Sequence, residues 1–289
     1  MKIGFVGVGT MGGPIARNLI RADQETIVFD LSQQAVADTL AAGTSGTAAT
    51  ALADLASCNL IFTCLPLPQH VLDTMLGPSG LLALLAGGAT HVDFSTIDPA
   101  TSKRLEGEAE QHGVGFLQCT LGKTPAHAER AEEPLFIGGR QALYAQLAPI
   151  WPIIGSPAHY LGTVEASCAV KLISNLGGMT NLLVLAECLR LGEAAGLDAD
   201  RLIALLQDTG ARSFQMDVRG PWIAAGDYAP RFGLDLALKD VRLGCRMAAD
   251  WGIDVSAMRA ALDRYEQASA AGLGGEDCNA VYKVLGSNP

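Results

Sequence analysis

The 289-residue sequence has no concentrated positive charge. Lysine and arginine total 20 against 30 acidic residues, the formal net charge is −10, and basic residues never cluster. Phosphate backbones are gripped by clustered cations, so nucleic acid is not expected as a partner. A small anion remains compatible, because a few cations in a pocket outweigh a distant, screened negative surface. Aromatic residues are scarce (6%) and charged ones few (17%), yet 49% of the chain is hydrophobic, the composition of a globular core. The seven cysteines, Cys58, Cys64, Cys119, Cys168, Cys188, Cys245 and Cys278, include no CxxC pair. Neither a zinc site nor a disulfide framework follows, and buried thiols in a reducing compartment are expected. The five histidines lack an HxxxH spacing, so no metal site is expected. No basic leader precedes the apolar start, which glycines interrupt at once. The longest uncharged runs, 74–92 and 172–186, are broken by Gly77, Pro78 and Gly80 or carry Asn175 and Asn181. No membrane span is expected from them. Together these absences lead to the expectation of a soluble, cytoplasmic protein.

What is present is alternation. Residues 3–6, 26–30, 60–65, 91–94, 115–119, 135–138 and 153–155 read as short apolar strands. Residues 14–21, 33–42, 69–75 and 99–112 read as helices between them. Strands of this kind separated by helices imply an α/β fold, a doubly wound, mostly parallel sheet covered on both faces. After about Gly162 the character changes. Residues 164–195 contain no proline, and Gly196 is a suitable stop; 199–207, 234–251 and 255–271 are also helical in pattern. Two domains are expected: residues 1–162 with the sheet, and an all-helical part, 163–289.

Residues 3–12 read Ile-Gly-Phe-Val-Gly-Val-Gly-Thr-Met-Gly, so Gly7, Gly9 and Gly12 have GxGxxG spacing between a strand and a helix. Gly7 allows the tight turn, Gly9 lets backbone approach a pyrophosphate, and Gly12 lets helix and strand pack closely. The helix N-terminus offers unpaired N–H groups to the anion, with Thr10 and Met11 between the glycines as further contacts. Asp30 ends the second strand 18 positions after Gly12, where an acid accepts hydrogen bonds from the adenosine ribose. This unit is therefore expected to bind a dinucleotide in the Rossmann manner, which points to a nicotinamide-dependent oxidoreductase. A carboxylate at Asp30 repels the 2′-phosphate of NADP, and no arginine follows among Leu31, Ser32 and Gln33, so NAD is favoured over NADP. Two later loops end expected strands, where ligands bind in open α/β sheets. Leu65-Pro66 places backbone along the cofactor, and Thr96 places a hydroxyl near its nicotinamide end.

These residues resemble the β-hydroxyacid dehydrogenase family, related to 6-phosphogluconate dehydrogenase and including 3-hydroxyisobutyrate dehydrogenase and tartronate semialdehyde reductase. The resemblance rests on Gly7 to Gly12 with Ala16-Arg17-Asn18-Leu19, on Leu65-Pro66, and on Asp93-Phe94-Ser95-Thr96-Ile97. It continues in Lys171-Leu172-Ile173-Ser174-Asn175, Ala186-Glu187, Lys239-Asp240 and residues 272–277, and so covers nearly the whole chain. It implies that Lys171 is the catalytic general acid/base, an ammonium that protonates an alkoxide as it forms. Asn175, at i+4 on the same helical face, is implied to hold substrate or orient the lysine. Lys239 is implied to reach cofactor and substrate, and Phe232 is expected to close the pocket over the nicotinamide. Homodimers or homotetramers are usual in the family, and the apolar helix from Val164 needs cover.

One segment departs from the family. Where relatives carry Asp-Ala-Pro-Val-Ser-Gly-Gly, with backbone N–H groups on a substrate carboxylate, this chain has Gln118-Cys119-Thr120-Leu121-Gly122-Lys123-Thr124. The family's following Gly-Thr-Leu is replaced by Ala131-Glu132-Glu133-Pro134-Leu135. Gly122, Lys123 and Thr124 are therefore expected to contact the substrate differently, with Lys123 adding a full positive charge. This is similar to the sulfolactaldehyde reductase branch, which has arginine here; lysine exchanges that planar fork for a point charge. A nucleotide P-loop is excluded, because Leu117 stands where the first glycine belongs. The expected activity is interconversion of a small anionic 3-hydroxy acid and its aldehyde. Sulfolactaldehyde reduction, imine reduction and a catalytically silent NAD-binding sensor are the alternatives, and Lys171 speaks against the last two.

Overall fold

The structure, a computed structural model, describes residues 1–286. The chain divides into two compact units, Met1–Lys171 and Leu172–Pro289.

The first unit alternates strands and helices as β1 (Ile3–Val6), α1 (Gly12–Arg21), β2 (Thr26–Phe29), α2 (Gln33–Leu40), β3 (Gly46–Ala48), β4 (Leu60–Thr63), α3 (Pro68–Leu76), β5 (Thr90–Asp93), α4 (Pro99–Gln111) and β6 (Gly115–Leu121). It continues through α5 (Pro125–Ala128), β7 (Leu135–Gly139), α6 (Gln141–Gln146), α7 (Trp151–Ile154) and β8 (Ala158–Tyr160). The strands form one sheet in the order β3-β2-β1-β4-β5-β6-β7-β8, the doubly wound arrangement expected. Only the β6–β7 pairing is antiparallel. On one face Ile3, Phe5, Phe62, Leu117 and Cys119 pack against Ile15 and Leu19 of α1. Phe62 stacks with Phe94 at 5.0 Å between ring centroids and meets Phe5 at a tilt, 5.6 Å away. On the other face Val6, Ile61 and Phe116 meet Val71 and Met75 of α3 and Leu105 of α4. Each such side chain, fully buried, contributes roughly 1.5–3 kcal/mol.

Local signals set the helix starts. Ser32 accepts from the Ala35 amide at 3.2 Å to begin α2, and Asp98 accepts from Thr101 at 2.9 Å to begin α4. Pro99 stands at the first helical position, where its missing N–H costs nothing. The strand expected at 153–155 is instead the single helical turn α7. Pro152 has no N–H for a sheet ladder, and near the start of a helix none is required. The three-residue edge strands β3 and β8 were too short to give a periodic signal.

The helix α8 (Val164–Ala194) begins in the first unit, where Val164 and Cys168 join the core of the sheet's second face. From Leu172 on it belongs to the second unit, with α9 (Ala199–Leu206), α10 (Phe214–Ala224), α11 (Leu234–Asp250) and α12 (Ser256–Ala268). By length and composition alone α8 is apolar enough to cross a membrane. Its Leu176, Met179, Leu182 and Leu189 are instead buried against Ala237, Val241 and Tyr265, as in the core of a globular unit. Gly196, at φ +76°, ends the helix after Leu197 donates back to Gly192 at 2.9 Å. Helix α10 escaped the sequence reading because Gly220 and Pro221 lie inside it. Among the described residues the second unit has no strand, only a bridge between Gly233 and Asp277.

The turn from β1 into α1 depends on close backbone approach. A Cβ on Gly12 would lie 2.0 Å from the Gly7 carbonyl oxygen, whereas one on Gly9 would meet nothing within 4 Å. Gly12→Ala is therefore expected to destabilise the protein by about 1–3 kcal/mol and Gly9→Ala to leave stability unchanged. Urea denaturation of the two variants checks the contrast.

Candidate functional site

In the first unit the glycine turn is held by an acid. Gly7 takes φ +88°, the left-handed region, beside the backbone of Cys64. Asp30, just past β2, accepts from the Val8 amide at 2.8 Å and from the Ser32 amide at 2.8 Å. A carboxylate has about four acceptor positions, so these bonds leave room for ribose hydroxyls. Gly12 opens α1, whose first turn carries neither a side-chain cap nor an acid to compete with an anion. Thr10 is exposed and Met11 half-buried beside this turn. A cavity of about 420 Å³ lies next to it, lined by Val8, Gly9, Thr10, Arg17, Asp38 and Pro125 among others. The open space over Gly9, the uncapped helix start and the acid at the end of β2 fit a dinucleotide.

The ends of β4 and β5 and the middle of β6 are tied together by one buried carboxylate. Asp93 Oδ1 accepts from Thr63 Oγ1 and Ser95 Oγ, each at 2.6 Å, and from the Ser95 amide at 3.2 Å. Gln118 Nε2 donates to Oδ2 at 3.1 Å. Burial raises the Asp93 pKa, and these donors oppose that shift. His91 Nε2 lies 2.8 Å from Thr63 Oγ1, whose own proton goes to Asp93, so this network assigns the imidazole proton to Nε2. Burial keeps His91 neutral, with its pKa lowered to about 3. Ser95 Oγ accepts from the Leu65 amide at 2.9 Å, so the Leu65-Pro66 loop hangs from the same carboxylate. Thr96 follows Ser95, half-buried, and Gln118 Nε2 also holds the Ser95 carbonyl at 3.1 Å.

Beyond β6 the chain meets the first turns of α8. Thr120 Oγ1 donates to the Ser167 carbonyl at 2.9 Å, and Ser167 Oγ to the Phe136 carbonyl at 2.6 Å. One turn later Lys171 Nζ donates to the Leu121 carbonyl at 2.7 Å. The next residue, Gly122, donates its amide to the Pro134 carbonyl at 3.0 Å. Lys123 adopts φ +56°, and its Nζ donates to the Glu132 carbonyl at 2.9 Å. Thr124 Oγ1 lies 2.8 Å from His127 Nδ1. Glu129 is bound by Arg17 and Arg21 of α1, whose guanidinium groups hold its pKa down to about 2. Glu133 is fully buried, and neither of its carboxylate oxygens has a hydrogen-bond partner.

The second unit holds two further constellations. Asp240, 3% exposed, accepts from Asn175 Nδ2 at 2.6 Å and pairs with Lys239 Nζ at 2.8 Å. Asn175 and Lys239 are thus brought together on one carboxylate. Phe232 belongs to the other constellation: its amide donates to Asp277 at 2.8 Å, and Asp277 also binds Arg219 Nε at 3.0 Å. Sequence reasoning missed Glu133, the Thr120–Ser167 pair and the anchoring roles of Asp93, Asp240 and Asp277. Asp93 and Asp240 stood inside motifs already singled out, so their motif position was a usable signal. For Glu133 and Ser167 only packing reveals the role. The seven cysteines are free thiols, and no group of metal-ligating side chains occurs among the described residues.

Two family descriptions match the chain: the NAD binding domain of 6-phosphogluconate dehydrogenase over residues 2–165, and the NAD-binding part of NADP-dependent 3-hydroxyisobutyrate dehydrogenase over residues 166–285. The chain is 30% identical to 2-(hydroxymethyl)glutarate dehydrogenase of Eubacterium barkeri, covering 98% of this chain and 94% of that protein. It is 29% identical to 3-sulfolactaldehyde reductase of Escherichia coli, covering 98% and 95%. A crystal structure of 3-hydroxyisobutyrate dehydrogenase from Salmonella typhimurium superposes with a TM-score of 0.91 at 26% identity, covering 99% and 100%.

Glu133 gives the first unit a pH signature. Burial raises its pKa from 4.5 to about 7, so the folded protein keeps a proton that the unfolded chain releases. The resulting cost to stability is absent below about pH 4.5, grows as the pH rises to about 7, and reaches at most about 3 kcal/mol. Glu133→Gln is expected to exceed the parent in stability by about 2–3 kcal/mol at about pH 8 and to match it near pH 4.5. Urea denaturation at both pH values checks this, and an equal difference at both rules it out.

Proposed function

The chain belongs to the 3-hydroxyisobutyrate dehydrogenase family of NAD(P)-binding dehydrogenases, and from that membership we propose that it interconverts a small anionic 3-hydroxy acid and its aldehyde, with Lys171 as general acid/base. The observation that carries this reading is the Lys171 ammonium, fixed 2.7 Å from the Leu121 carbonyl in the same unit as the glycine turn. A lysine held by a backbone carbonyl keeps its proton on a defined side. In the reducing direction Lys171 delivers that proton to the substrate oxygen as negative charge develops there, and in the oxidising direction the neutral amine takes it back. The nicotinamide, when bound, supplies or accepts the hydride. Leu65, Pro66, Thr96 and Phe232 line the cofactor in this reading. Asn175 and Lys239 engage the substrate, and Asp240 fixes where both point.

Asp30 favours NAD over NADP, since its carboxylate at the end of β2 opposes a 2′-phosphate and no cation follows it directly. Gly122, Lys123 and Thr124 recognise the substrate anion. Relatives named for 2-(hydroxymethyl)glutarate and 3-sulfolactaldehyde are consistent with an anionic substrate. A sulfonate is the second reading, favoured by the charge at Lys123. The protein is further proposed to work in the cytoplasm as a homodimer or homotetramer.

Turnover of succinic, methylmalonic and tartronic semialdehydes and of sulfolactaldehyde, each with NADH and NADPH, tests the substrate class and the cofactor. On the best substrate, Lys171→Ala is expected to lose about 100- to 10,000-fold in kcat while NADH binding, followed by fluorescence, is retained. A variant with unimpaired kcat removes Lys171 from the chemistry.

A further inference from the structure

The segment joining β6 to β7 carries two opposite charges in different settings. Lys123 is exposed at φ +56° and tied through Nζ to the Glu132 carbonyl at 2.9 Å. Glu133, the next residue after that carbonyl, is 0% exposed, and both of its oxygens lack partners. Few titratable groups face it. From the loop after β6 the Lys123 ammonium favours its ionised form, and the buried Cys119 thiol of β6 is close enough to feel its charge. The α7 turn, Trp151–Ile154, carries no titratable side chain. Nearby charges are engaged elsewhere: Glu132 with Arg130, His127 with Thr124, and Glu129 with Arg17 and Arg21.

A buried carboxyl with no donor beyond its own backbone amide keeps its proton to higher pH, because little replaces the water that would solvate its charge. Once ionised, it attracts the nearest cation more strongly than a neutral carbonyl does. For Lys123 that cation-binding partner lies one residue beyond its present tether. We propose that Glu133 is a specificity-determining residue that sets the net charge offered to the substrate by residues 122–134. With the carboxyl protonated, Lys123 offers an uncompensated positive charge to an anion. With it ionised, the two charges offset each other and the anion binds more weakly. The proposal rests on the reading of Lys123 as the anion-recognising residue. Burial places the change near neutrality, since the Glu133 pKa is raised to about 7.

The test follows KM for whichever aldehyde of the panel gives the highest kcat/KM, with saturating NADH, from about pH 6 to about pH 8.5. Carboxylate and sulfonate substrates stay ionised throughout, so their own titration does not enter. In the parent, KM is expected to rise about tenfold across this range, the equivalent of a modest charge interaction. Glu133→Gln is expected to keep the low KM at every pH, with kcat within about twofold of the parent, and Glu133→Leu serves as a second neutral replacement should glutamine disturb folding. Lys123→Met is expected to show a high KM with no slope. If Lys123→Met raises KM but both Glu133 variants follow the parent's profile, or if the slope survives in Lys123→Met, the role of Glu133 is overturned. If Lys123→Met leaves KM unchanged, the underlying reading of Lys123 fails instead.

Discussion

The first unit depends on the solvation of one carboxylate that water does not reach. Asp93 is fully buried at the end of β5, where burial raises its pKa and the donors Thr63, Ser95 and Gln118 oppose that shift by favouring the charged form. Removing an ion from water costs several kcal/mol unless hydrogen bonds replace those lost. Partnering Asp93 therefore draws three neighbouring strands into a fixed relation, and Ser95 passes the constraint to the Leu65 amide. The loops expected to meet the cofactor take their shape from this centre.

The second unit uses the same device. Asp277 collects Arg219 and the amides of Arg231 and Phe232, closing the start of α11 against the last described segment. Asp240 joins Asn175 to Lys239 across two helices. Against these partnered acids Glu133 stands out, since neither of its buried oxygens has a hydrogen-bond partner in another residue. In the same segment Gln118 donates to Asp93 and Thr120 Oγ1 donates to the Ser167 carbonyl, whereas the Glu133 oxygens have no such partner.

Much of the fold was legible because parallel strands and amphipathic helices have distinct periods, and because glycine, proline and cap residues mark their ends. The glycine turn, Asp30 and the long α8 follow from such signals. The failures share a cause. Residues 153–155 are apolar enough for a strand, yet Pro152 and the packing of Trp151 and Ile154 make them a helical turn. Helix α10 contains Pro221 yet persists, because its core contacts through Met216 and Ile223 outweigh one missing hydrogen bond. The second face of the sheet carries His91, Asp93, Gln118 and Thr120 at buried positions, where period alone expects apolar side chains.

Local spacing in the sequence determined the glycine turn after β1 and most of the alternation of strands and helices, and the resemblance of several motifs pointed to the family that the comparisons show. Tertiary structure alone decided what each charged group does: which acids are satisfied, which carbonyl holds Lys171, and that Lys123 and Glu133 sit in one loop with opposite exposure. Those outcomes depend on solvation and on contacts between residues far apart in the chain, such as Leu121 with Lys171 and Asn175 with Asp240. No local pattern encodes them. Asp30 shows both sides: its position after β2 was readable, but its grip on the Val8 amide required the strands to be brought together.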